Sequence, residues 1–236
     1  MTRRSTHVGV LLVLLCGCDV RVAERPTASV SVSLAQPCVD HVTLATEQVA
    51  GTVSGYLSQG KFECARELID GAVIRPEDNA GLTDVLLDAL GKPQPDGGNL
   101  QKSRPLPAET KLAALSYLNV HHRASTAKGF RLNDYGDYIR AEAGREGART
   151  RARAFALLYN IVTDEDVPLI VEGFDSGDET IIAMGIFSLA NRCTPIAVKA
   201  LRGALEKQTV IDYLEKYKGK ETLTSTMRRE CPKALG

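Results

Sequence analysis

The sequence predicts an all-α fold, an α-solenoid of antiparallel helical hairpins that follows a disordered N-terminal tether. Between residues 149 and 205, apolar residues recur every three or four positions in four short runs, which is typical of amphipathic helices. Polar turns separate the runs, and the two-run unit occurs about twice at a spacing of about thirty residues. Leu158 aligns with Leu189 and Asn160 with Asn191. Such a hairpin can bury both of its apolar faces only by stacking on neighbours, which indicates a solenoid.

The ends of the four predicted helices carry ordinary start signals. The acidic turn 164–166 ends the first helix and begins the second, where negative charge suits a helix N-terminus and explains the turn more simply than bound calcium. Pro168 falls in the first turn of that second helix, and Thr194-Pro195 supplies an N-cap followed by proline at the first helical position. The apolar stripes predict that five residues are buried between the helices: Leu158, Ile170, Phe187, Leu189 and Leu201.

This repeated stretch resembles the HEAT repeat family. The proline near the start of the family's second helix matches Val167-Pro168-Leu169-Ile170, and its Asp-rich turn between repeats matches segment 175–178. The family's Arg in the first helix is present as Arg151, but the second copy has Ile182 there. The resemblance covers roughly a quarter of the chain well. It implies a HEAT-like domain over residues 107–236 and a curved face that holds a partner chain.

The N-terminus has the pattern of a targeting segment. A basic start with Arg3 and Arg4 precedes a short apolar core at 8–15, too short to span a bilayer, which runs into Leu15-Cys16-Gly17-Cys18. This ending resembles the lipobox of bacterial lipoproteins. The resemblance implies that residues 1–17 are a signal peptide and that Cys18 is acylated. An ordinary secretory signal that leaves a free cysteine is the alternative.

The lipobox also implies a location. Acylation of Cys18 would anchor the chain to membrane lipid in the bacterial cell envelope, at the inner or outer membrane and facing the periplasm. Residues 18–37 lack helical periodicity and are predicted to be the flexible tether.

The cysteines indicate disulfide bonds. Six cysteines minus the two in the signal leave four, Cys38, Cys64, Cys193 and Cys231, an even number in a chain predicted to be exported. Loop entropy favours the local pairs Cys38–Cys64 and Cys193–Cys231. An unbroken helix over about 40–58 would separate Cys38 from Cys64 by a helix length, beyond disulfide reach. Four buried free thiols are the alternative, and the spacing does not suggest a metal site.

Residues 38–90 are predicted to form an N-terminal helical region. Segment 56–68 (YLSQGKFECAREL) resembles the central turn of a tetratricopeptide repeat, with Gly60 in the tight turn and Phe62 and Ala65 between the two helices. Gly51 and Gly55 weaken the first of these helices. A third helix is predicted over about 77–90.

Residues 91–106 are rich in proline and glycine and are predicted to be a linker. Helix resumes near Pro107, where Leu112, Leu115 and Leu118 are in phase, and another helix is expected over about 133–143. A final polar helix over about 221–229 is predicted to cap the stack.

Composition and motifs exclude several functions. Basic and acidic residues number 29 each, so the charge balance does not suggest nucleic acid. Tryptophan is absent and aromatic residues make up 5%, which disfavours a sugar-binding cleft. We find no Walker loop, no G-x-S-x-G, no H-E-x-x-H and no complete calcium loop in the sequence. No catalytic residue, cofactor or metal ligand is therefore predicted.

Arg145, Arg149 and Arg153 are spaced by four residues and would form one basic stripe on a helix. Such a stripe is a solvated face paired with carboxylates, or a contact for an acidic partner or lipid headgroups. The anchor, the repeat and the missing active site favour a protein-binding or assembly module with an unknown envelope partner. The alternative is an envelope enzyme, such as a cell-wall hydrolase that uses Glu142 or Glu172 as its acid.

Overall fold

The structure is a computed structural model that describes residues 38–39, 44–73, 80–91 and 105–217. These residues belong to the second of two compact units, 38–236; the first unit, 1–37, lies outside the described residues. Helices make up the described part, which contains no strand, so the prediction of an all-α fold is confirmed for it. The helices are α1 Thr46–Gln59, α2 Phe62–Val73, α3 Ala80–Ala89, α4 Ala108–Val120, α5 His122–Ala127, α6 Gly136–Ala143, α7 Arg151–Leu158, α8 Val167–Gly173, α9 Glu179–Arg192, α10 Pro195–Ala204 and α11 Gln208–Lys216.

The predicted start signals operate as expected in the repeated stretch. Asp178 caps α9 by accepting hydrogen bonds from the N–H groups of Thr180 and Ile181. Thr194 caps α10, with Pro195 at its first position. Thr163 and Asp166 form a capping box ahead of α8. The sequence therefore sets the beginnings of these helices locally, before any tertiary packing.

The acidic turn 164–166 caps a helix, as predicted, and also joins neighbouring hairpins. Asp164 Oδ1 accepts hydrogen bonds from Arg192 Nη2 at 3.1 Å and from Thr194 Oγ1 at 2.9 Å. Arg192 is the last residue of α9 and Thr194 precedes α10, so both donors lie about one repeat further along the chain. Asp166 Oδ1 accepts from Arg140 Nε of α6 at 2.6 Å. The turn thus ties α8 to the hairpins on either side.

The unbroken helix over about 40–58 that would have kept Cys38 from Cys64 does not form, because residues 44 and 45 are not helical. The helix α1 begins at Thr46 instead of near residue 40, and Cys38 bonds to Cys64 with a Cα–Cα distance of 5.2 Å. Seven residues in extended form span up to about 23 Å, which matches the roughly 21 Å length of a 14-residue helix. The chain ahead of α1 is therefore long enough to reach the far end of that helix. There the Val39 N–H donates to Tyr56 Oη at 3.1 Å.

The pairing of Cys38 with Cys64 is thus confirmed. Cys193 is also disulfide-bonded, but its partner lies outside the described residues. Its pairing with Cys231 therefore stays a prediction. Cys18, most of the linker and the final helix over 221–229 also lie outside the described residues.

The prediction of a basic stripe on one helix was wrong. The helix α6 ends at Ala143 and α7 begins at Arg151, so Arg145 and Arg149 lie in the turns between them. Gly147 has φ of 67°, a left-handed conformation that a continuous α-helix does not contain. The three arginines are therefore held by separate pieces of backbone.

The helices pack in chain order through one connected core. The helix α2 packs on α4, α4 on α7, α7 on α9 and α9 on α11, while α6 packs on α7 and α8 and α10 pack on α9. Thr110 Oγ1 of α4 donates to the Phe62 carbonyl of α2 at 3.2 Å. The described helices on either side of the proline- and glycine-rich segment therefore contact each other directly. The largest side chains in this core are Tyr117, Phe155 and Phe174.

Four of the five predicted core residues are buried: Leu158, Ile170, Leu189 and Leu201. The prediction for Phe187 was wrong, since this side chain is 50% exposed. Thr180 and Asn191, on the same face of α9, are exposed as well. Apolar residues occur all around α9, so its periodicity does not identify which side faces the core. Among the described helices, none is both long enough and apolar enough to cross a membrane.

Candidate partner-binding surface

Three clefts open on one surface and share the side chain of Arg149. The first, here called the central cleft, has a volume of about 200 Å³. The outer groove, of about 600 Å³, includes Phe62, Thr110 and Arg145. The acidic cleft, of about 660 Å³, includes Glu146, Glu172, Asp175 and Asp178. The central cleft is lined by Glu63, Arg66, Glu109, Arg149, Thr150 and Arg153.

The order of packing brings the central cleft together from distant parts of the sequence. Glu63 and Arg66 come from α2, Glu109 from the first turn of α4, and Arg153 from α7. Arg149 belongs to the turn before α7. Since α4 packs against both α2 and α7, these side chains meet although up to ninety residues separate them.

Arg66 is surrounded by carboxylates but makes one short contact. Its Nη1 donates to Asp70 Oδ2 at 3.4 Å. Glu63, Glu67 and Glu109 stand 3.7–4.0 Å from its Nη2 and Nε atoms, beyond hydrogen-bond distance. The Nε atom is buried and donates no hydrogen bond. One edge of this guanidinium group is therefore unused as a donor.

Arg153 is held by the same aspartate from the opposite side. Its Nη2 donates to Asp70 Oδ2 at 2.9 Å, which links α7 to α2 across 83 residues of sequence. Its Nη1 atom is buried and, like Arg66 Nε, has no hydrogen-bond partner. The predicted binding residue Arg153 thus combines a structural ion pair with an unused donor.

Arg145 serves the local structure of the turn. Its Nη1 donates to Glu142 Oε1 at 3.0 Å, and Thr150 Oγ1 donates to Glu142 Oε2 at 2.8 Å. Glu142 is buried, and both oxygens of its carboxylate accept hydrogen bonds that hold the turn 144–150. The pKa of the neighbouring Tyr138 is raised to about 12 by burial and by the charge of Glu142, against a lowering by Arg145.

Arg149 differs from the other two predicted arginines. It is exposed and makes no ion pair or hydrogen bond through its side chain with any described residue. It lines all three clefts. The free positive charge of this surface is therefore concentrated at one side chain.

In the acidic cleft, most of the carboxylates already have partners. Arg151 is buried. Its Nε donates to the Ala143 carbonyl at 2.9 Å, and its Nη2 donates to Glu172 Oε1 at 3.0 Å. Lys207 pairs with Asp175, and Asp178 caps α9. Glu172, the second acid considered for hydrolysis, is thus part of an ion pair that fixes the end of α6 to α8.

Sequence reasoning missed Arg66, Asp70 and Glu109. The spacing of Glu63, Arg66 and Asp70 puts them on one face of α2, which was available from the sequence. The sequence did not show that α2 lies beside α7, because this proximity depends on packing between segments that are distant in the chain. Among the described residues there is no group of three or more acidic, histidine or cysteine side chains that could hold a metal ion.

No protein-family model, curated protein or solved structure matches this chain.

Proposed function

We propose that the chain is a lipid-anchored protein-binding or assembly module of the bacterial cell envelope. Its partner is an envelope protein that docks on the surface around Arg149. One observation carries this proposal: Arg149 is exposed where three clefts meet and pairs with none of the described residues, while Arg145 and Arg153 beside it are held by carboxylates of the chain itself. A free guanidinium group among several concave surfaces suits recognition of a partner.

The packing order supports a HEAT-like α-solenoid as the scaffold. Consecutive helices contact the next ones along the chain, and Asp164 and Asp166 connect successive hairpins in the way expected of stacked repeats. Stacked repeats offer extended surfaces to partner chains. The location of the module depends on the lipobox and on acylation of Cys18.

The hydrolase alternative gains no support from either glutamate. Glu142 is buried and accepts from Arg145 and Thr150, and Glu172 is paired with Arg151. A general acid needs a carboxyl group that can reach the substrate in its protonated form.

The proposal can be tested by crosslinking in the native membrane. A photoreactive amino acid at position 149 of the full-length chain should give a discrete crosslinked species. The same amino acid at position 202, which is exposed on α10 and lines none of the three clefts, is the control. Equal capture from both positions, or none from 149, would overturn the proposal.

A further inference from the structure

We infer that the turn 144–150 is the part of this surface that the partner contacts, on both of its flanks, and that the buried Glu142 is the positioning residue that keeps the turn in shape. The inference rests on the proposed function and adds where on the surface the partner sits. It starts from two observations. The turn supplies residues to two clefts at once, and a single buried carboxylate is bonded to both of its ends.

The turn stands between the outer groove and the acidic cleft. Arg145 and Thr150 line the outer groove, Glu146 and Gly147 line the acidic cleft, and Ala148 and Arg149 line both. Every residue from 145 to 150 therefore contributes to one cleft or the other. A partner that enters both clefts has the turn between its two contacts, and it buries more surface than contact with Arg149 alone would, as specific interfaces require.

Glu142 closes the base of the turn. This residue belongs to the last turn of α6 and is 5% exposed. Its Oε1 accepts from Arg145 Nη1 at 3.0 Å and its Oε2 accepts from Thr150 Oγ1 at 2.8 Å, so one carboxylate joins the two ends of the turn. Because each oxygen is bound to a different donor, the carboxylate has one orientation and holds both donors in place.

Thr150 does not play the role that its position usually gives to a threonine. It is the N-cap residue of α7, where a threonine hydroxyl ordinarily accepts a hydrogen bond from a backbone N–H group of the first turn. Here the side chain makes no such cap. Its hydroxyl donates to Glu142 instead. The contact at this end therefore stabilises the turn and not the start of the helix.

Backbone hydrogen bonds complete the fixed geometry of the turn. The Ala148 N–H donates to the Arg145 carbonyl at 3.3 Å, and the Arg151 N–H donates to the Ala148 carbonyl at 3.0 Å. At the apex, Gly147 has φ of 67°, and a Cβ atom built there would meet no atom of the described residues within 4 Å. The turn is thus fixed at its base and open at its apex.

A turn that is ordered before binding favours recognition. A flexible turn loses conformational freedom when a partner contacts it, and this loss weakens binding. Here the bonds to Glu142 restrict that freedom in advance, while the side chains of Glu146 and Arg149 remain exposed. Substitutions at Glu142 should therefore weaken partner binding although this residue is itself buried.

Contact on both flanks can be tested by crosslinking from the full-length chain in the native membrane. A photoreactive amino acid is placed at position 107, where the exposed Pro107 lines the outer groove, or at position 146, where the exposed Glu146 lines the acidic cleft. Both positions should capture the same chain that position 149 captures, and position 202 is again the control. Capture from one flank alone would overturn the inference.

Substitutions at Glu142 test its positioning role, with the photoreactive amino acid at position 146 so that Arg149 is retained. Glu142→Met keeps the length of the side chain but removes both acceptors, and it should lower capture at least about threefold. Glu142→Gln has an oxygen to accept from Arg145 and an NH₂ group to donate to the Thr150 hydroxyl, so it should retain capture although the charge is lost. Unchanged capture in Glu142→Met, or the same loss in Glu142→Gln, would contradict the role of Glu142.

A matched control separates positioning from general stability. Asp166 is also a buried carboxylate that accepts from one arginine and one threonine, Arg140 and Thr163, but it lies outside the turn. Asp166→Asn should lower the midpoint of thermal unfolding and leave capture from position 146 at the wild-type level, measured well below that midpoint. If capture fell in proportion to stability in both Glu142→Met and Asp166→Asn, Glu142 would be a structural residue only and the inference would be wrong.

A milder pair of variants covers the case in which Glu142→Met does not fold. Thr150→Val removes one of the two bonds to Glu142 with little change in volume, whereas Thr150→Ser keeps the hydroxyl. Amide hydrogen exchange at Ala148 and Arg151 should be at least about tenfold faster in Thr150→Val but not in Thr150→Ser. Capture from position 146 should fall in Thr150→Val alone. Equal exchange and equal capture in the two variants would overturn the inference.

Failure of the inference can be told apart from failure of the proposed function. If position 149 captures an envelope protein while positions 107 and 146 do not both capture it, the module remains and the inferred contact is wrong. If position 149 captures nothing either, both are wrong.

Discussion

Asp166 shows how a single side chain serves two purposes in this chain. Burial alone would raise its pKa, but hydrogen bonds from Arg140 and from the Thr163 backbone and hydroxyl outweigh burial and hold the pKa below its ordinary value. The same contact raises the pKa of Arg140. A capping residue that the sequence places at a helix start is thus also the ion-pair partner of a helix from the preceding hairpin.

This arrangement makes the free energy of unfolding depend on pH. Because the folded-state pKa of Asp166 is depressed, its contribution is fully present above the ordinary carboxyl range near about pH 4 and is lost as the pH falls through the folded pKa. We expect Asp166→Asn to unfold more easily near neutral pH and to lose less stability than the wild type on acidification. Urea unfolding at several pH values between about 7 and 3 measures both effects.

A control for this prediction is Asp137→Asn. Asp137 also faces Arg140, at 3.7 Å, but it is fully exposed, so its removal should have little effect. Parallel pH profiles for the wild type and Asp166→Asn would contradict the assignment.

Two phenylalanines allow a direct comparison of buried and exposed positions. Phe174 is fully buried, so Phe174→Ala should cost roughly 3–5 kcal/mol of unfolding free energy. Phe187 is 50% exposed, and Phe187→Ala should cost only about 1 kcal/mol. Chemical denaturation of both variants checks the difference. Equal losses would mean that Phe187 is covered in solution.

At the scale of elements, two glycines allow α8 and α9 to approach their neighbours closely. A Cβ atom on Gly173 would lie 2.6 Å from Phe155 Cζ, and one on Gly185 would lie 2.8 Å from Phe174 Cε1. Both distances are shorter than carbon atoms can adopt without movement. The rings of Phe155 and Phe174 therefore occupy the space that an alanine side chain would need.

Replacing glycine with alanine should change the free energy of unfolding in opposite directions in α8 and α9 and in α1. Gly173→Ala and Gly185→Ala should destabilise the protein by about 1–3 kcal/mol through overpacking. Gly51→Ala and Gly55→Ala should stabilise it by up to about 1 kcal/mol, since nothing lies within 4 Å of their added Cβ atoms and helix propensity improves. Thermal and urea unfolding of the four variants tests this contrast. Destabilisation by either substitution in α1 would contradict it.

Predictability also differs between elements. Periodicity and caps identified the helices α7 to α10, because their signals are local, as at Thr194 and Pro195. They did not show that α1 starts at Thr46. The side of α9 that faces the core depends on the positions of α7, α8, α10 and α11, which pack against it. The central cleft was less predictable still, because Arg66 and Arg153 meet through the packing of α2, α4 and α7.

At the scale of the whole molecule, the ion pair between Arg153 and Asp70 connects the two regions that the sequence separates by a linker. The surface around Arg149 therefore exists only when both regions fold together. The proposed membrane anchor, in contrast, depends on the sequence around Cys18 alone. Substitutions at Arg149 and at Cys18 should therefore affect the proposed binding and the proposed location independently.

The anchor gives a prediction of its own. Cys18→Ser should abolish processing, whereas Cys16→Ser should leave it intact, because Gly17 and Leu15 keep the positions that the lipobox needs. Partition of the wild type into a detergent phase, measured beside both variants, tests the difference. A soluble, unmodified wild-type product would contradict lipidation.

The bond between Cys38 and Cys64 has a consequence for the order of maturation during export. If Cys18 is acylated and the chain emerges N-terminus first, Cys38 and Cys64 are the first two thiols to reach the oxidising side. They are also the two that are joined, 26 residues apart, so oxidation in order of arrival gives the observed pair. No later exchange of disulfides is needed there. The bond between the segment ahead of α1 and the first turn of α2 can then form before α4 and α7 have been exported. The cleft around Arg149 is completed only when those two helices have folded.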